Sequence, residues 1–154
     1  MAESIDPENN PPGLALTFTP TSEDRVYQSE GVVLSAGRAV DWWVRVLGIN
    51  RATFEDFIRP PWPEDVPLWC PGLNGVGAPF WSDRAASVNR ITENTSTKAL
   101  CVGLIASILF RIRDVTRELP EKRQRRILLD GGLSRIRNLP GMAAALWDLP
   151  TAKT

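Results

Sequence analysis

The chain has 154 residues, a length suited to one domain, and its 43% hydrophobic and 23% charged content is ordinary for a globular protein. Eighteen basic residues cancel eighteen acidic ones, so no net field draws it to nucleic acid or to an anionic membrane. Histidine is absent, which removes a Ser-His-Asp triad, a His-ligated zinc and an imidazole base and leaves any chemistry to carboxylates, backbone amides, Lys, Arg or a bound metal.

Residues 1–12 are polar and end in Asn9-Asn10-Pro11-Pro12, which predicts a disordered leader before a domain over 13–154. Leu14 to Phe18 and Arg25 to Ser29 read as short strands. From Val32 the pattern turns helical: Val33, Ala36, Val40, Trp43, Val44 and Leu47 recur at three- and four-residue spacing, and Gly48 is a natural stop. Phe54, Phe57 and Ile58 predict a second, short helix ended by Pro60-Pro61. Val66 to Cys70 then reads as a strand feeding a glycine-rich loop, Pro71 to Trp81.

In that loop Gly72, Gly75 and Gly77 permit close backbone approach, and Pro79 is followed by Phe80-Trp81. Burying two such rings needs a shaped pocket, so the loop is expected to fold onto a core. Thr95 or Ser96 caps a long helix whose apolar face runs from Ala99 to Leu119. Pro120 ends it, and Glu121 to Arg126 reads as a basic, solvated linker. Ile127 to Ser134 has the form strand, tight turn, helix: an aliphatic run, Asp130-Gly131-Gly132, then a polar cap. Such turns suit phosphates and nucleotides, because glycines admit close approach and the next helix presents free N–H groups. Pro140 must sit in the first turn of the following helix or kink it. Cys70 and Cys101 stand in unrelated contexts, with no secretory leader and no run of about 18 apolar residues. They therefore read as reduced thiols of a cytoplasmic protein.

Several of these segments carry a resemblance. Tyr27-Gln28-Ser29-Glu30-Gly31 followed by Ala36-Gly37 and Asp41-Trp42, then Gly77-Ala78-Pro79-Phe80-Trp81, then Arg113-Asp114-Val115, then Asp130-Gly131-Gly132 resemble, in that order, the C-terminal domain of the FGGY carbohydrate kinases. Glycerol kinase and xylulokinase are members. The resemblance implies an α/β fold, a partial ribonuclease H-like or actin-like ATPase domain, with ATP and Mg²⁺ as cofactors. It implies that Gly37 and Asp41 border the nucleotide, Asp41 standing where the family has a glutamine. Gly131, Gly132 and Leu133 would lie along the adenosine, and Ile136 stands where the family often has an asparagine.

The same resemblance puts the sugar-binding domain, the catalytic aspartate, the phosphate-holding hairpin, and a last strand and helix outside these residues, so no catalytic residue is expected among them. The chain is thus expected to be a fragment or subunit of an ATP-dependent carbohydrate or polyol kinase, supplying part of the adenine-nucleotide side. Its partners would be ATP, a sugar or polyol where an N-terminal domain is supplied, and another copy of itself or a kinase N-terminal half, but neither nucleic acid nor membrane. The alternative is a degenerate, non-catalytic remnant that serves as an interaction module, as Asp41, Val102, Ala106, Ile136 and Gly141 suggest at positions where the family has other residues. An exposed sheet edge or apolar face is expected in either case.

Overall fold

The structure, a computed structural model, describes residues 6–22, 25–119, 127–148 and 150–153. The expectations for Met1–Ile5, for the stop at Pro120 and for the linker Glu121 to Arg126 lie outside the described residues. In chain order the elements are β1 (Ala15–Pro20), β2 (Arg25–Glu30), α1 (Ala36–Val46), α2 (Arg51–Phe57) and β3 (Leu68–Cys70). They continue with β4 (Ser87–Asn89), α3 (Thr97–Arg117), β5 (Ile127–Leu129), α4 (Leu139–Trp147) and β6 (Thr151–Lys153).

Among the described residues the strands form three separate two-stranded ladders. β1 and β2 are antiparallel with Phe18 opposite Tyr27, β3 and β4 are antiparallel with Trp69 opposite Val88, and β5 and β6 are parallel with Leu128 opposite Ala152. The helices, with α3 at their centre, carry most of the core. Ser96 caps α3 by accepting from the Ala99 N–H at 3.1 Å. Five successive residues from Cys101 to Ile105 are buried, so α3 is covered on more than the one face its periodicity predicts. Gly103 explains how neighbours come so close: a Cβ there would lie 2.5 Å from the Pro67 carbonyl oxygen. The Ser107 hydroxyl accepts from the Trp69 N–H at 3.1 Å and pins β3 to the same helix.

α1 and α2 pack on α3 through Val40, Trp43, Phe54 and Ile58. Asn50 caps α2 by accepting from the Thr53 N–H at 2.8 Å. Trp43 meets Trp69 edge to face at 4.4 Å and stacks on Trp42 at 5.5 Å, arrangements that the ring quadrupoles favour. α4 closes the core from the other end. Its Trp147 indole donates to the Leu109 carbonyl at 3.0 Å, and Asn138 donates to the Ile58 carbonyl at 2.9 Å. Pro140 occupies the first turn of α4, where no N–H is needed.

The glycine loop differs from expectation in one respect. Phe80 and Trp81 are 62% and 53% exposed, so no pocket encloses the rings. Backbone contacts and one arginine hold the loop instead. Val76 and Ser82 exchange N–H···O bonds of 2.8 and 3.0 Å, Ala78 N–H donates to the Val32 carbonyl at 2.9 Å, and the Trp81 indole donates to the Gly13 carbonyl at 2.6 Å. Arg111 of α3 donates to the Ala78 carbonyl at 2.8 Å and lies 4.7 Å above the Phe80 ring. Asp114 anchors the same guanidinium at 2.7 Å. Ala78 itself is buried with Leu14 and Val115 in a small satellite core.

Three further differences have local causes. Residues 6–12, expected to be disordered, include a 3₁₀ turn at Pro7–Asn9, and Asn10 bridges the Leu14 carbonyl at 2.9 Å and the Ser29 hydroxyl at 2.7 Å. The segment after Gly131-Gly132 is a single 3₁₀ turn, Gly132–Arg135, and α4 begins only at Leu139, so no helix N-terminus abuts the turn. A short strand that the sequence did not suggest, β6, follows α4 and pairs with β5.

No helix among the described residues is long and apolar enough to cross a membrane. Both cysteines are free thiols. Burial pushes the Cys101 thiol up from 9.0 to about 12. Its folded value lies above its unfolded one, so its contribution to stability is complete below pH 9.0 and is lost as pH rises toward about 12. At pH 8 a thiol reagent is expected to modify the half-buried Cys70 first and Cys101 only upon unfolding; equal rates at both would contradict this packing.

Candidate functional site

A cleft of about 700 Å³ opens where three segments of distant sequence meet. α1 contributes Gly37, Asp41 and Val44, one per turn along a single face; α2 contributes Arg51 and Glu55; the stretch after β5 contributes Asp130, Gly132, Leu133 and Arg135. The side chains arrive there for ordinary reasons of packing. The apolar faces of α1 and α2 are committed to α3, which turns their polar residues toward the gap. Ile136, just beyond the 3₁₀ turn, is fully buried and ties that turn to the same core.

Of the residues expected from motifs, the structure places Gly37, Asp41, Gly132 and Leu133 on the walls of this cleft. Gly131 makes the bend behind them. Its φ of +86° is one that residues with side chains rarely adopt, its N–H is held by the Asp130 carboxylate at 2.7 Å, and its carbonyl accepts from the Ser134 hydroxyl at 2.8 Å. Ile136 is the exception. The motif position suggested a residue at the nucleotide, but a branched apolar side chain is favoured in the core, and there it lies.

Gly37 and Gly132 share a telling property. A Cβ at either position would meet nothing within 4 Å, so no neighbour in the chain requires a glycine there. Gly37 is the second residue of α1, where glycine is less favourable than alanine, by less than the roughly 0.5–1 kcal/mol of a helix interior. The space in front of both is open to the cleft.

The electrostatics of the cleft are mixed. Arg51 bridges two carboxylates, Asp41 at 3.2 Å and Glu55 at 3.0 Å, across the corner between α1 and α2. All three groups are substantially exposed, so solvent screens the bridge and it fixes orientation more than it adds stability. With Asp130 and Arg135 included, three carboxylates face two guanidiniums. The walls can accept hydrogen bonds from hydroxyl or amino groups and offer Val44 and Leu133 to an apolar or aromatic ring. They are poorly suited to concentrate negative charge. Among the described residues no three His, Cys, Asp or Glu side chains stand close enough to hold a metal ion.

Arg51, Glu55 and Arg135 were not anticipated. The i, i+4 spacing of Arg51 and Glu55 signals a helix-surface pair, but nothing in it says that the pair borders a cleft. The glycine loop lines a separate hollow against α1, through Leu73 and Asn74, and Asp41 is common to both.

Residues 1–153 match the profile of the FGGY family of carbohydrate kinases, C-terminal domain. A glycerol kinase from Streptococcus pneumoniae is 30% identical over 92 residues, which is 58% of this chain and 18% of that protein. Two solved structures are similar in shape. Plasmodium falciparum glycerol kinase with ADP has a TM-score of 0.77 at 20% identity, over 92% of this chain and 30% of that one. Ligand-bound xylulose kinase from Lactobacillus acidophilus has a TM-score of 0.75 at 20% identity, over 97% and 31%. The fold is therefore that of the sugar kinases, α/β and actin-like, and the chain spans less than a third of the length of these proteins.

Proposed function

The chain belongs to the FGGY family of carbohydrate kinases, through the C-terminal domain, and from that premise we propose that its cleft is the adenosine side of the ATP site of a glycerol- or xylulose-kinase-like enzyme. The observation that carries this reading is the convergence of Gly37, Gly132 and Leu133, from segments almost a hundred residues apart, on one cleft whose glycines leave unclaimed space. Val44 and Leu133 would flank the base, and the Asp41 and Glu55 carboxylates would accept from the ribose hydroxyls. The reaction would be transfer of the γ-phosphoryl group of ATP to a sugar or polyol hydroxyl, to which this chain contributes positioning of the nucleotide. Mg²⁺ would be held by the nucleotide phosphates; among the described residues no three carboxylates stand together to hold it. The sugar pocket and the base for the hydroxyl proton would come from the part of such a kinase that these residues do not match. Pairing with a kinase N-terminal half, in the cytoplasm, follows from the same reading.

Titration with ATP·Mg²⁺ is expected to raise the melting temperature by several degrees, because ligand at 100 times Kd adds about 2.7 kcal/mol to the folded state. Gly132→Ala, whose Cβ enters the open space and meets nothing within 4 Å, is expected to leave the ligand-free melting point within a degree or two and to weaken binding at least tenfold. A variant that binds as well as the parent would remove Gly132 from the site. The second reading, a module that no longer takes nucleotide, is favoured by the excess of carboxylates on the cleft walls. It predicts no shift in the parent at millimolar ATP.

A further inference from the structure

The other flank of α1 carries a hollow of about 370 Å³, bordered by Arg38, Trp42 and Arg45 of the helix, Ser35 at its start, and Asn74 of the glycine loop. Arg38 and Arg45 are two helical turns apart, about 10 Å along the axis, with the Trp42 indole between them. Among the described residues neither guanidinium forms an ion pair, as is true of most arginines here other than Arg51, Arg59 and Arg111. The Asp41 carboxylate on the rim is engaged by Arg51.

A solvated helix face accounts for Arg45, which lies in the last turn of α1, where the helix dipole favours a cation. It does not account for Arg38. That residue stands in the first turn, where the dipole opposes a cation, and no acidic residue in that turn offsets it. Ser35 at the N-cap is left-handed, with φ of 60°, and its side chain caps no N–H. Its hydroxyl accepts from the Asn74 amide at 3.1 Å and keeps its own proton to donate. Dipole, guanidinium and hydroxyl proton at one end of the hollow, and a second unpaired guanidinium at the other, all favour negative charge in the space between.

We propose that this hollow binds a small molecule bearing two or more phosphoryl groups, clamped by Arg38 and Arg45 along the Trp42 side of α1. The guanidinium fork matches phosphate oxygens two at a time. One phosphoryl group engages one arginine; a chain of them reaches both. The assignment is independent of whether the neighbouring cleft takes adenosine.

Calorimetric titration of the full chain with inorganic phosphate, pyrophosphate and tripolyphosphate tests this. Affinity is expected to rise with each phosphoryl group and to fall as salt is added. The double variant Arg38→Ala/Arg45→Ala is expected to bind tripolyphosphate at least tenfold more weakly at an unchanged melting temperature. Arg59→Ala/Arg90→Ala, with the same change in net charge, is expected to bind it like the parent. Titration of ATP and of adenosine into the Arg38/Arg45 variant identifies the source of the phosphates. Loss of ATP affinity with adenosine affinity retained makes the ligand the tail of the nucleotide in the cleft. Tripolyphosphate binding to ATP-saturated protein makes it a separate molecule. Failure of the parent to bind tripolyphosphate at millimolar concentration, or equal binding by the two double variants, overturns the proposal.

Discussion

Phe54→Ala is expected to lower the free energy of unfolding by about 3–5 kcal/mol and the melting temperature by on the order of 10 °C. Phe54 is fully buried and is the one residue of α2 that is buried in the core. α2 has only seven residues, too few to be helical without tertiary packing. Its position therefore depends on this ring and on Ile58, together with the Asn50 cap. The consequence reaches the cleft, because Arg51 and Glu55 project from the same short helix and Arg51 lies 5.9 Å over the Phe54 ring. Denaturant unfolding measures the loss. A cost below about 1 kcal/mol would mean that α2 is not seated on α3 as described.

Gly77→Ala is the second large effect. A Cβ at Gly77 would run into the Val32 carbonyl oxygen, the same oxygen that accepts the Ala78 N–H. Both sides of the clash are backbone, so no rotamer change relieves it, and the expected cost is about 2–3 kcal/mol. Gly37→Ala is the informative contrast: its Cβ would meet nothing, and in the first turn of α1 alanine is expected to stabilise, by less than the roughly 0.5–1 kcal/mol of a helix interior. One glycine is required by the fold and the other is not. Denaturant curves for the two variants should move in opposite directions, and a shared direction would contradict the placement of the loop against the segment before α1.

What could be read from residues alone follows the length of the element. α1 and α3 carry enough 3.6-residue repeats to be recognised, and Ser96, one of two candidates read from the sequence, caps α3; the Asn50 cap of α2 was not anticipated. β4 has a single apolar residue, Val88, between two polar ones, and it is a strand because Trp69 lies opposite it. No local pattern carries that information. Gly-Ala-Pro-Phe-Trp was legible as a folded loop, but its anchor, Arg111, lies thirty residues further on, and an arginine in a helix gives no sign of which carbonyls it will reach.

The same division holds at the cleft. Gly37, Asp41, Gly132 and Leu133 stand in short motifs and could be singled out before any fold was known. Arg51, Glu55 and Arg135 look like any solvated pair or turn until α1, α2 and the turn after β5 are brought together. Ile136 shows the opposite case. Its place in a motif suggested a ligand contact, while its own chemistry, branched and apolar, sent it to the core.

The central claim, that an adenine nucleotide occupies the cleft between α1, α2 and the turn after β5, is tested most directly by titrating the ¹⁵N-labelled chain with ADP and following backbone amide resonances. The account predicts saturable shifts at Gly37, Val44, Gly132 and Leu133, with Gly103 on the far side of the core unmoved. Silence at those four amides up to millimolar ADP, or saturable shifts confined to residues away from the cleft, would contradict it.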